Sequence, residues 1–165
     1  MSNQDTVADL FELAVSAERV TEALYGRFAE MFAAYPQVAE FWQVYARQES
    51  MHAKWLEQLA GELDEDQLAA AADATTLKDA QKTLAFSLEK TLGTIKTLDD
   101  AYQLASEVEN GETNAIFSFL TEHFAPSDEL RAFLRGQLTN HLNRLMVDFP
   151  LEFQSTARRR QIKAE

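Results

Sequence analysis

Glu18, Glu49, His52, Glu112 and His141 are side chains of metal-ligand type standing where a helical period calls for apolar ones. At 100° per residue, Glu18 falls within about 40° of Phe11, Ala14 and Tyr25, in the middle of an apolar stripe. Glu49 lies between Trp42, Tyr45 and Leu56, with His52 one turn on and facing the same way. Glu112 sits among Ala105, Val108, Ile116 and Phe119, and His141 shares its face with Leu134, Gln137 and Leu145. Burying a bare carboxylate costs several kcal/mol, and several together demand a compensating cation. Glu at i and His at i+3 present oxygen and nitrogen from one helical face to one ion. Mixed carboxylate and imidazole ligands suit iron, with manganese as the alternative. Each residue taken singly has a plain structural reading. Glu-x-x-His is common on solvated helices, Glu18 or Glu112 can snorkel from the edge of a stripe, and His141 can be a hydrogen-bonded core histidine. Their joint placement on four helices is what points to a metal.

The elements that must position these groups are helical. Apolar periodicity runs over about 5–33, 37–60, 98–124 and 129–149, with breakers between: Tyr35-Pro36, Gly61, Ala125-Pro126-Ser127-Asp128 and Pro150. The connection 61–97 holds an Ala-rich piece at 67–72 and a further helix over 77–92, and residues 151–165 read as a polar tail. Two antiparallel pairs joined by one long crossover make a single all-α domain over 1–165, a four-helix bundle of the ferritin-like kind. The halves also align: Gln48, His52 and Leu56 fall over Gln137, His141 and Leu145, and Glu18 over Glu112, which suggests an internal duplication.

Composition narrows the chemistry. The chain has 165 residues, no Cys and a formal net charge of -12. Zero Cys excludes disulfides, thiolate zinc sites, cysteine-ligated iron–sulfur clusters and a cysteine nucleophile. The acidic balance argues against nucleic acid or an anionic membrane as partner. No apolar run approaches the roughly 18 residues of a membrane span, and Met1 to Asp5 carries no signal-peptide pattern, so a cytoplasmic location is expected.

Ala17-Glu18-Arg19-Val20-Thr21-Glu22-Ala23-Leu24-Tyr25 and Glu49-Ser50-Met51-His52-Ala53-Lys54 resemble the first two bundle helices of rubrerythrin-type ferritin-like proteins, and Glu109-Asn110-Gly111-Glu112 is similar to their paired glutamates. The resemblance spans about 5–149. It implies a non-haem di-iron centre with Glu18 and Glu112 as flanking carboxylates, Glu49 as a bridge, and His52 as a terminal ligand. His141 joins the expected ligands, and Glu109 or Glu112 supplies the extra carboxylate used when one iron shifts. The implied activity is reduction of hydrogen peroxide or dioxygen, of the peroxidase or ferroxidase type. A homodimer and an external electron donor are implied with it, because no Cys is present for a rubredoxin-like module.

The fourth helix departs from the family pattern. It reads Leu138-Thr139-Asn140-His141 where E-x-x-H is expected, so a bridging carboxylate is missing. Glu109 restores the count if it faces inward, and at about 60° from Glu112 around one continuous helix a solvated orientation is the alternative. Two ions, one ion, or a degenerate bundle serving as a structural, binding or sensing module are the outcomes left open. Tyr25 and Tyr45 are expected to donate to ligand carboxylates. Trp42 and Trp55 read as packing, His123 as a charge at a helix C-terminus, and Glu62 to Asp66 as a solvated loop. Arg158-Arg159-Arg160 reads as a frayed end.

Overall fold

The computed structural model describes residues 4–84 and 88–150, with backbone alone at Glu112. Thr6 starts α1 (Val7–Met31): its hydroxyl accepts from the Asp9 N–H, and the Asp9 carboxylate accepts from the Thr6 N–H, a reciprocal cap. Pro36 then opens α2 (Pro36–Gly61), where a missing N–H costs nothing. α8 (Asp128–Val147) is capped by Ser127, as the Pro-Ser-Asp run predicts. Among the described residues there is no strand, and no helix is long and apolar enough to cross a membrane.

The third bundle helix differs from the expected single helix over 98–124. It is two helices, α6 (Leu98–Glu109) and α7 (Glu112–Phe124), separated by Asn110 and Gly111. Asn110 turns its amide back onto the Ser106 carbonyl. Gly111 is extended, and a Cβ there would meet the Glu107 and Val108 carbonyl oxygens at 3.2 Å, a tight approach that glycine avoids.

The crossover also differs in detail. Asp64 caps a short α3 (Glu65–Ala69), so the acidic stretch read as loop is partly helical. The helix expected over 77–92 is seen as α4 (Ala74–Leu84) and α5 (Leu88–Leu92), and the residues between these lie outside the described ones. Asp5, Val7, Ala70 and Ala72 exchange backbone hydrogen bonds, which ties the crossover to the start of α1.

Two apolar clusters make the core. One is aromatic and gathers Tyr25, Phe28, Phe41, Trp42, Tyr45, Tyr102 and Phe149. The other holds Leu10, Phe11, Leu56, Ile116, Phe117, Leu120 and Leu134. Along α1 and α2, the buried polar residues Glu18, Thr21, Glu49 and His52 fall between the segments that feed these clusters. α8 buries only Leu134, His141 and Leu145, so its one buried polar group falls between two apolar anchors. Trp42 holds the aromatic cluster together, stacked on Tyr25 at 5.5 Å and edge-on to Phe28 at 5.1 Å and Phe41 at 4.9 Å. Trp42→Ala is expected to destabilise the fold by about 3–5 kcal/mol. Urea unfolding followed by far-UV circular dichroism checks this, and a loss under about 1 kcal/mol would contradict the assignment of Trp42 as the cluster's centre.

Candidate metal centre

Between the two clusters, four helices deliver five ionisable side chains to one buried point: Glu18 from α1, Glu49 and His52 from α2, Glu109 from α6 and His141 from α8. Each is 1–3% exposed. Glu49 stands in the middle, with Oε2 at 3.2 Å from His52 Nδ1 and Oε1 at 2.7 Å from His141 Nε2. Glu18 Oε2 approaches His52 Nδ1 at 3.7 Å, and Glu109 Oε2 approaches His141 Nε2 at 2.9 Å. Glu49, His52 and His141 each offer one ligand atom, and these three atoms lie within 4.8 Å of one another.

The helix break decides the role of Glu109. Ending α6 at Glu109 frees that side chain from the phase it would share with Glu112 in a continuous helix, and it turns inward instead of toward solvent. Tyr25 donates its hydroxyl to Glu109 Oε1. Asn114, just past the break, donates to Glu109 Oε2 at 2.8 Å and to the Glu109 carbonyl at 2.7 Å. Glu112 opens α7, and its side chain lies outside the described residues. Leu138 is half-buried against the cluster of Leu10, Phe11 and Leu134 and brings no charge.

The Tyr25 expectation therefore matches a contact, with Glu109 as the carboxylate, while Tyr45 does something else. Its hydroxyl donates to the His141 carbonyl at 2.9 Å and its ring stacks on the His141 imidazole at 4.2 Å. Tyr45 thus holds the backbone and plane of His141. His123 is exposed; its Nδ1 pairs with the Phe119 carbonyl one turn back, and its ring stacks on Phe119. Trp55 is half-buried beside His52 and Phe133.

Without a metal the cluster must share protons. Burial, then the Glu49 charge, raises Glu18 well above the usual carboxylate range. Burial works against the charge of His52, yet Glu18 and Glu49 together lift its pKa to about 9. Burial likewise opposes the charge on His141, and Glu49 and Glu109 lift that pKa to about 10. Glu49 feels burial most, which pushes its pKa up, but the two imidazoles win and hold it below the ordinary range. Burial, then the nearby Glu109 charge, keeps Tyr25 a phenol, able to donate.

These proton contacts leave the donor set incompletely satisfied. Glu18 Oε2, Glu49 Oε1 and His141 Nε2 are buried with no aligned hydrogen bond, although His141 Nε2 and Glu49 Oε1 face each other at 2.7 Å. Buried ligand-type atoms that lie close together without an aligned hydrogen bond are what a cation between them would use. The oxygen and nitrogen donors fit iron or manganese. The residues that could hold it are Glu18, Glu49, His52, Glu109 and His141.

Three neighbours of the site carry no periodic signal in the sequence. Asn114 reaches Glu109 only because the chain breaks between them. Gln48 and Arg144 lie on the rim of a cleft of 340 Å³ between α2 and α8, with Gln137 and Asn140, and the cleft ends on His52 and His141. The alignment of Gln48 with Gln137 was the one trace of this rim in the sequence.

The family model described as Rubrerythrin matches residues 9–124. No curated protein and no solved structure matches the chain.

Proposed function

The chain belongs to the rubrerythrin family, and from that premise, with the buried cluster of Glu and His, we propose an iron-binding protein whose centre reduces peroxide or dioxygen. The observation that carries this reading is the convergence of Glu49, His52 and His141 with buried, unaligned donor atoms. Bound iron would supply the electrons. Each hydrogen peroxide takes two electrons and two protons and yields two waters, and a separate reductant restores the electrons.

The chain's own residues set the conditions for that chemistry. Glu49 faces both imidazoles, so it fixes the spacing of the donors from α2 and α8. Tyr25 and Asn114 hold Glu109 in place from α1 and α7. The two apolar clusters pack on either side of the centre, and the cleft between α2 and α8 gives a polar approach to the histidines.

Leu138 favours a second reading, a centre reduced to one ion or none in a bundle that binds or senses. Elemental analysis of untagged protein, expressed with iron and manganese supplied and purified without chelator, separates the two. About two ions per chain, with oxidation of the ferrous protein by peroxide, is the expected result. One ion with no oxidation supports the second reading, and absence of any metal overturns the first.

A further inference from the structure

Gln48 stands between two groups that make opposite demands on it. A primary amide has one accepting end and one donating end. One end lies 2.8 Å from His141 Nδ1. If the Gln48 oxygen faces α8's Arg144, it accepts from Nη1 at 3.0 Å and Nε at 3.2 Å, and the amide nitrogen donates to His141 Nδ1. Turned the other way, the oxygen accepts from Nδ1 and the amide NH₂ meets the guanidinium, donor against donor.

The choice bears on the metal because the two ring nitrogens of His141 are linked. Nε2 is the atom that faces Glu49 and Glu109. For Nε2 to offer a lone pair to a cation, the proton must sit on Nδ1, and a buried N–H there needs an acceptor. Among the described residues, the Gln48 oxygen is the one in place to accept it. With that oxygen on Arg144, the amide nitrogen donates to Nδ1, so a ring that gives up one proton must keep the other on Nε2, and that nitrogen has nothing to give a metal. Arg144 has somewhere else to go: its side chain is exposed, it borders the cleft, and its Nε is 3.9 Å from Asp148 Oδ2.

We infer that Gln48 is a positioning residue of the centre, its amide orientation deciding whether His141 can ligate, and that Arg144 restrains metal loading by competing for the same amide oxygen. This rests on the metal-binding reading above. It makes a sign prediction that a structural role does not share. If Arg144 simply braces α8, removing it loosens the centre; if it competes for Gln48, removing it tightens the centre.

The test is the affinity of the full chain for iron(II), measured anaerobically against a chromophoric chelator. Arg144→Met is expected to tighten binding by about 10-fold, and Gln48→Leu to weaken it by about 10- to 100-fold. Gln48→Glu offers a carboxylate that accepts from both neighbours at once. It is expected to bind at least as tightly as the parent, and adding Arg144→Met to it to change nothing further. Unchanged or weaker binding in Arg144→Met overturns the inference, as does parental affinity in Gln48→Leu. Thermal unfolding of each metal-free variant identifies any that fail to fold. Iron binding that depends on Glu49 but ignores Gln48 and Arg144 overturns this inference alone. If neither the parent nor any variant binds iron, the metal reading falls and this one with it, whereas binding by the Arg144→Met or Gln48→Glu variant but not the parent supports both.

Discussion

Protein carrying Glu49→Ala is expected to lose at least about 100-fold in affinity for iron(II) and to emerge from chelator-free purification essentially without metal. The size of the effect follows from position. Glu49 faces both histidines, one through each carboxylate oxygen, at 3.2 Å and 2.7 Å. Removing it deletes a ligand and also the contact that sets the spacing of the other two. The metal-free protein pays as well, because His52 and His141 lose the carboxylate that balances their buried charge. Breaking a buried pair by removing one partner costs about 3–5 kcal/mol. Glu49→Gln keeps the volume and serves as the control for packing: it should retain more stability than the alanine variant but bind metal no better than weakly. Metal per chain, read by elemental analysis beside a denaturation curve, checks both parts. Parental metal content in folded Glu49→Ala protein would falsify the assignment of the centre.

A steep pH dependence of metal affinity is the second large effect. In the metal-free protein His52 holds its proton to about pH 9 and His141 to about pH 10, each against the pull of burial and through its glutamate neighbours. A ligating imidazole nitrogen must be free of its proton, so binding through both displaces two protons at neutral pH. The apparent association constant should therefore rise by at least about 100-fold per pH unit between about pH 6 and 8, more if Glu18 also gives up a proton. The stability of the metal-free protein runs the other way. Both imidazoles have pKa values raised above the unfolded value near 6.5, so the stabilisation they bring is complete below about that pH. It is lost as pH rises through about 9 and then about 10. Metal-loaded protein should escape that loss over the same window. Iron(II) titrations at three pH values and unfolding midpoints with and without metal measure these slopes. A flat affinity across the neutral range would show that the histidines are not ligands.

The helices and the buried Glu18, Glu49, His52 and His141 were legible in the sequence, for a local reason. In a helix, the face on which a side chain lies depends only on spacing along the chain. A carboxylate in the middle of an apolar stripe therefore declares its burial without any knowledge of the partner helix, and caps such as Thr6 and Ser127 declare the ends. The all-α class and the long crossover followed from the same periodicity and from the placement of Pro and Gly.

What the sequence left open depended on contacts between segments far apart. Whether Glu109 faces inward turned on the break at Asn110 and Gly111, which cancels the phase argument that made a solvated orientation its alternative. Glycine beside asparagine marks a weak point in a helix, but whether the helix breaks there is decided by what surrounds it, here Tyr25 from α1 and Asn114 from α7 closing on the carboxylate. Gln48 and Arg144 carry no periodic signal at all. They matter because α2 and α8, nearly a hundred residues apart in the chain, pack so that one amide lies between an imidazole and a guanidinium. Local spacing thus determined which side chains are buried, through geometry fixed within each helix. The tertiary structure alone decided which of them meet and which neighbour orients each, because those distances exist only once separate helices have packed.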